Sequence, residues 1–127
     1  MTGEDQCPCG SGQLYQEHCG SILASGAGLG VRAEALMRAR YSAYVRKNKP
    51  FLLDSWHPET RPADLTFDDD LEWLGLEVID IEAGSGVDIN GIVEFKARFH
   101  RGGQNFELHE RSSFTRVAGH WKYVTGT

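Results

Sequence analysis

Val87-Asp88-Ile89-Asn90-Gly91-Ile92-Val93-Glu94-Phe95-Lys96-Ala97-Arg98-Phe99-His100 is the stretch that decides the fold. Every odd position from Val87 to Phe99 is apolar or glycine, while Asp88, Asn90, Glu94, Lys96, Arg98 and His100 put polar groups on the other phase. A period of two over this length predicts a long strand with one face on a core and one in water.

Downstream, Gly102-Gly103 offers the positive backbone angles of a tight hairpin turn. Phe106, Leu108, Ser112 and Phe114 then mark the inward face of a second strand, Ala118-Gly119 turns again, and Trp121, Tyr123 and Val124 close the meander. Upstream, Leu74, Leu76 and Val78 alternate, and Ile79 and Ile81 continue in the opposite phase, which predicts a bulge at Val78-Ile79 before the Gly84-Ser85-Gly86 turn. Earlier still the period changes. Ala33, Leu36, Met37, Tyr41, Tyr44 and Val45 recur at helical spacing between Val31 and Asn48, with Arg40 on the same stripe. Pro50 suits the first turn of a second short helix ending at Trp56-His57-Pro58. Helices followed by a four-stranded antiparallel meander make an α+β domain, the helices packed on the apolar face of a curved sheet. That order resembles a cystatin-like cone.

The chain has 127 residues, which suits one core domain with a short appendage. Its formal charge of -5 makes nucleic acid and anionic membrane poor partners by default. No run approaches the roughly 18 apolar residues of a membrane span, and no basic n-region with an apolar h-region opens the chain. Three cysteines fit a reducing cytoplasm better than a disulfide framework. The expected organisation is a knuckle over 1–22, a pliable glycine-rich linker over 23–32 and the α+β domain over 33–127.

All three cysteines fall in Cys7-Pro8-Cys9-Gly10-Ser11-Gly12-Gln13-Leu14-Tyr15-Gln16-Glu17-His18-Cys19. Cys7, Cys9, His18 and Cys19 supply the four N and S donors of a tetrahedral structural Zn²⁺, and Gly10 and Gly12 permit the tight turn between them. The alternative, buried cysteines beside a helix-capping His18, would leave clustered thiols reactive. Four donors fill the coordination sphere, so the zinc folds this segment and activates no water.

This run resembles the SEC-C motif, the zinc knuckle at the C-terminus of the translocase motor SecA; the order His18-Cys19 stands where the motor has Cys-His. Arg40-Tyr41-Ser42-Ala43-Tyr44, Trp56-His57-Pro58, His109-Glu110-Arg111-Ser112-Ser113-Phe114 and Trp121-Lys122-Tyr123 resemble the YchJ-like family of uncharacterised bacterial proteins. The resemblance implies a SEC-C knuckle joined to a nuclear-transport-factor-2-like domain, and a knuckle that docks a protein partner.

Arg40 and Glu110 both fall on inward phases of the second domain. A lone buried charge is costly, so the economical expectation is that they satisfy each other as an ion pair. The other reading is a polar-floored pocket lined by Arg40, Tyr41, Trp56, His57 and Glu110. Such a pocket would hold a small molecule, or would let Glu110 act as general base in isomerase or dehydratase chemistry. No nucleophile signature supports an enzyme, and the sequence leans away from one.

Overall fold

A computed structural model describes residues 31–67 and 70–126. The knuckle with Cys7, Cys9, His18 and Cys19, and the linker up to residue 30, lie outside the described residues. Among the described residues two helices, α1 (Ala33–Val45) and α2 (Lys49–Asp54), precede four strands, β1 (Leu71–Ala83), β2 (Asn90–Arg101), β3 (Gln104–Val117) and β4 (His120–Gly126). The strands form one antiparallel sheet in the order β1-β2-β3-β4. No helix among the described residues is long and apolar enough to cross a membrane.

The two helices meet in a tight hairpin. Lys47 takes a left-handed conformation, φ 55°, and the Asn48 N–H donates to the Ala43 carbonyl at 2.8 Å, which stops α1. The Asn48 side chain then accepts from the Phe51 N–H at 3.3 Å, with Pro50 in the first turn, and so starts α2. The buried face of α1 is wider than the predicted stripe: Ala39, Ser42 and Ala43 are buried too, because the helix packs on α2 as well as on the sheet.

Inner residues Val93, Phe95, Ala97, Phe114 and Trp121 form the core with Ala33, Leu36, Met37 and Tyr41 of α1. Two hairpins close on paired positive φ angles, at Gly102-Gly103 and at Ala118-Gly119, as their sequences predict. The register of β1 shifts between Val78 and Asp80, at the expected bulge, and again between Trp73 and Gly75. Strand β2 begins at Asn90, so Val87 and Ile89 do not belong to it and stay exposed. The Asp88 carboxylate accepts from the Ser85 N–H at 3.0 Å and folds that segment into a turn.

Phe106 and Leu108 were expected inside, yet they are 44% and 40% exposed. Length explains it. The 13 residues of α1 span about 20 Å at helical rise, whereas the 14 residues of β3 span about 46 Å as a strand. One end of the concave face therefore outruns its cover.

Arg116 anchors the opposite end. Its guanidinium donates to the carbonyls of Val31 (3.1 Å), Gly86 (2.9 Å), Asp88 (2.7 Å) and Gly119 (2.9 Å), and lies 4.3 Å above the Trp121 ring. Trp121 Nε1 donates to the same Val31 carbonyl at 2.7 Å. Nearby, the Ala33 N–H donates to the Gly84 carbonyl at 2.9 Å, and Gly84 and Gly91 bring their backbones together beneath Ala33. A Cβ on Gly91 would lie 2.6 Å from the Gly84 Cα, so backbone must move to admit it. Gly91→Ala is expected to cost about 1–3 kcal/mol of stability, read as a lower urea midpoint at unchanged slope.

Candidate functional site

Under the open end of the sheet, α1, the segment after α2 and the inner face of all four strands line a cavity of about 260 Å³. Its floor is set by a short stitch between α2 and β4. The Tyr123 N–H donates to the Ser55 carbonyl at 2.8 Å and the His57 N–H to the Tyr123 carbonyl at 2.7 Å, a parallel bridge that holds Trp56 beside Tyr123. Their rings meet edge to face with centroids 5.0 Å apart.

Arg40 enters this corner from α1 and is 6% exposed. Its Nη1 donates to the Leu52 carbonyl at 2.9 Å and to Ser55 Oγ at 2.6 Å. The guanidinium carbon lies 4.9 Å from the Trp56 ring centre and 4.6 Å from that of Tyr123. Burial lowers the pKa of Arg40 to about 10, and Tyr44, Tyr123 and Glu110 partly offset it.

Glu110 faces the same cavity from β3, directly across the ladder from Phe95. It is not in an ion pair with Arg40: its Oε2 accepts from Ser112 Oγ at 2.5 Å and from the Tyr123 hydroxyl at 3.4 Å. The expected contact pair gives way to a relay. Tyr123 carries Arg40 on its ring and Glu110 on its hydroxyl, so each charge has local partners and the pair acts through space. Gly126, beside Ser112 in the ladder, makes room for this carboxylate, since a Cβ there would collide with the Glu110 carboxyl group. Trp56 Nε1 is the buried side-chain polar atom that lacks a hydrogen-bond partner among the described residues.

Of the residues expected in a pocket, Arg40, Tyr41, Trp56 and Glu110 line this cavity. His57 does not. It borders a separate, more open depression with Glu59, Thr60 and Thr115, and its Nδ1 accepts from the Glu59 N–H at 3.1 Å. The bridge to Tyr123 turns Trp56 inward and leaves its neighbour outside. Tyr44, Trp73, Ser112 and Tyr123 also line the cavity and were not singled out by sequence. Tyr123 was within reach, because it shares the phase of Trp121 and lies opposite Phe114.

His109 and Arg111 fall on the outer face, as their phase implies. Arg111 bridges Asp80 (3.3 Å), Glu82 (2.8 Å) and Glu94 (3.0 Å), and His109 Nε2 lies 2.6 Å from Glu94. These exposed contacts tie three strands together and stand apart from the cavity. Among the described residues no group of three or more His, Cys, Asp and Glu side chains is placed to hold a metal ion.

Comparison with known proteins places this architecture. Residues 32–126 match the family described as YchJ, middle NTF2-like domain. A UPF0225 protein of Chromobacterium violaceum is 48% identical over 123 residues, covering 94% of this chain and 90% of its own. A UPF0225 protein of Streptomyces coelicolor is 46% identical over 120 residues, covering 94% and 93%. The solution structure of a SEC-C motif containing protein from Rhodopseudomonas palustris superposes with a TM-score of 0.80 at 35% identity, covering 95% of this chain and 96% of that one. The crystal structure of a SEC-C motif containing protein from Psychrobacter arcticus gives 0.75 at 25% identity, covering 98% and 82%.

Burial, with the Glu110 charge behind it, pushes the Tyr123 phenol up from 10.0 to about 12. Its neutral form therefore contributes stability that is intact below pH 10 and lost as pH rises through about 12. Arg40 acts with the opposite sign, since its folded value of about 10 lies below the ordinary 12.5 and the cost of burying its charge eases over that range. In a spectrophotometric titration, Tyr123→Phe should remove the tyrosinate step near pH 12 and flatten the loss of stability between pH 10 and 12.

Proposed function

The chain belongs to the YchJ family, with an NTF2-like domain over residues 32–126, and on that premise we propose that this domain binds a small molecule in the cavity under α1. The observation that carries the reading is the pairing of an unsatisfied Trp56 Nε1 with two charges, Arg40 and Glu110, that face one cavity without neutralising each other by contact. A packed core would have closed over these groups or paired them. At about 260 Å³ the space sits just below the roughly 300–1,000 Å³ of common ligand pockets, which suits a small ligand. Its walls are mainly aromatic, with few polar groups, as such sites are built.

Leu108, half exposed at the mouth, gives a clean test because it can be enlarged without disturbing the core. A nuclear magnetic resonance screen of small aromatic fragments against the labelled chain should yield binders that move the Trp56 indole N–H resonance. Leu108→Trp should weaken them by about tenfold or more at unchanged melting temperature. Binders that ignore both Trp56 and this plug would overturn the reading.

The N-terminal run supports a second, independent role. We propose that Cys7, Cys9, His18 and Cys19 hold one structural Zn²⁺ and that the resulting knuckle docks a protein partner in the cytoplasm. The donor set is the support, together with the SEC-C motif that names both solved structures covering nearly all of this chain. Native mass spectrometry should find one zinc per chain, lost with chelator or in Cys9→Ser, while the NTF2-like domain keeps its melting temperature. A chain prepared without chelator that carries no zinc would sink the assignment.

A further inference from the structure

We infer that the cavity selects an uncharged, flat, largely apolar molecule that presents a hydrogen-bond acceptor to Trp56 and a donor to Glu110, the chemistry of an aromatic amide or lactam. The inference rests on the reading of the cavity as a binding site and specifies what it takes.

Charge balance is the first argument. Arg40 and Glu110 are the two formally charged residues of the lining, and they are of opposite sign. An anion entering the cavity meets Glu110, and a cation meets Arg40, in a space where aromatic walls screen poorly. Either ion gives up its hydration, and the partner it gains lies in the same cavity as a charge of the ion's own sign. A neutral ligand escapes both penalties.

The second argument is which atoms lack a partner. The Arg40 guanidinium is already engaged with the Leu52 carbonyl, Ser55 Oγ, the Tyr44 hydroxyl and two ring faces. It is a poor fork for a ligand carboxylate, because Nη1 already has two acceptors and the group packs against two rings. Among the described residues the buried donor without a partner is Trp56 Nε1, an uncharged N–H on a residue of the lining that suits a carbonyl oxygen. Ser112 and Tyr123 both bond Oε2 of Glu110, so Oε1 is left to accept from an N–H or O–H of the ligand.

Shape is the third argument. Rings of Tyr41, Tyr44, Trp73, Phe95 and Phe114 surround the remaining space. Tyr41 and Trp73 meet edge to face at 5.7 Å, as do Trp73 and Phe99 at 5.6 Å. A slot between ring faces and edges favours a flat body over a branched one.

The test titrates the full chain near neutral pH with benzamide, benzoate and benzamidinium, which share size and shape and differ in charge, with the Trp56 indole N–H resonance as readout. Benzamide is expected to shift that resonance and to bind at least about tenfold more tightly than either ion. Glu110→Gln should strengthen benzoate by about tenfold while benzamide changes by less than about threefold. If benzoate or benzamidinium moves Trp56 with equal or greater affinity, the cavity remains a binding site and the neutral-ligand inference falls. An unchanged benzoate affinity in Glu110→Gln also overturns it. Silence of all three at Trp56 overturns the cavity reading with it.

Discussion

One buried guanidinium organises this domain. Arg40 reaches from α1 to a carbonyl and a hydroxyl at the end of α2 and lies against rings from α2's exit and from β4. An arginine in such a place must have its donors satisfied and its charge offset, and the partners that do so come from α2, the segment after it and β4. The helical hairpin, the bridge from Ser55 and His57 to Tyr123, and the inward Trp56 all meet at it. A smaller or apolar residue at position 40 would fill space without specifying any of these directions.

The cavity arises from a mismatch of lengths. A helix advances less than half as far per residue as a strand, so α1 cannot cover β2 and β3 from end to end. Where it does cover, Leu36, Val93, Phe114 and Trp121 pack with almost no exposure. Where it falls short, aromatic side chains stand around empty volume, Leu108 forms a partly wet rim and Phe106 is half exposed beyond it. Arg116 secures the covered end by tying Val31, the β1–β2 turn and the β3–β4 turn to Trp121, which keeps the open end a property of the fold and not of loose packing. The cavity and the Arg116 anchor thus stand at opposite ends of one sheet.

Much of the fold was legible in the chain because local rules suffice for it. The alternation from Asn90 to Phe99 is a consequence of one wet and one dry face. Gly102-Gly103 and Ala118-Gly119 predict two-residue hairpins, and both form. The site was legible only in part. Phase alone put Arg40 and Glu110 inside, yet phase carries no distance, and it could not tell a contact pair from two charges joined through Tyr123. Nor could it separate Trp56 from His57, adjacent residues that a single backbone bridge sends to different cavities.

The sequence by itself determined most of the helices, strands and turns and the phase of each, since periodicity and backbone angle are local quantities, although phase placed Phe106 and Leu108 inside where they are exposed. It also holds the zinc argument entire, as four donors within thirteen residues need no distant partner to be recognised. Tertiary structure decided how far apart the inward groups lie, which of them keep a free atom, and whether the space between them is filled. Those outcomes depend on helix length against strand length, on the bulges of β1 and on one stitch between α2 and β4. Such quantities join residues up to dozens of positions apart, and no window of sequence contains them.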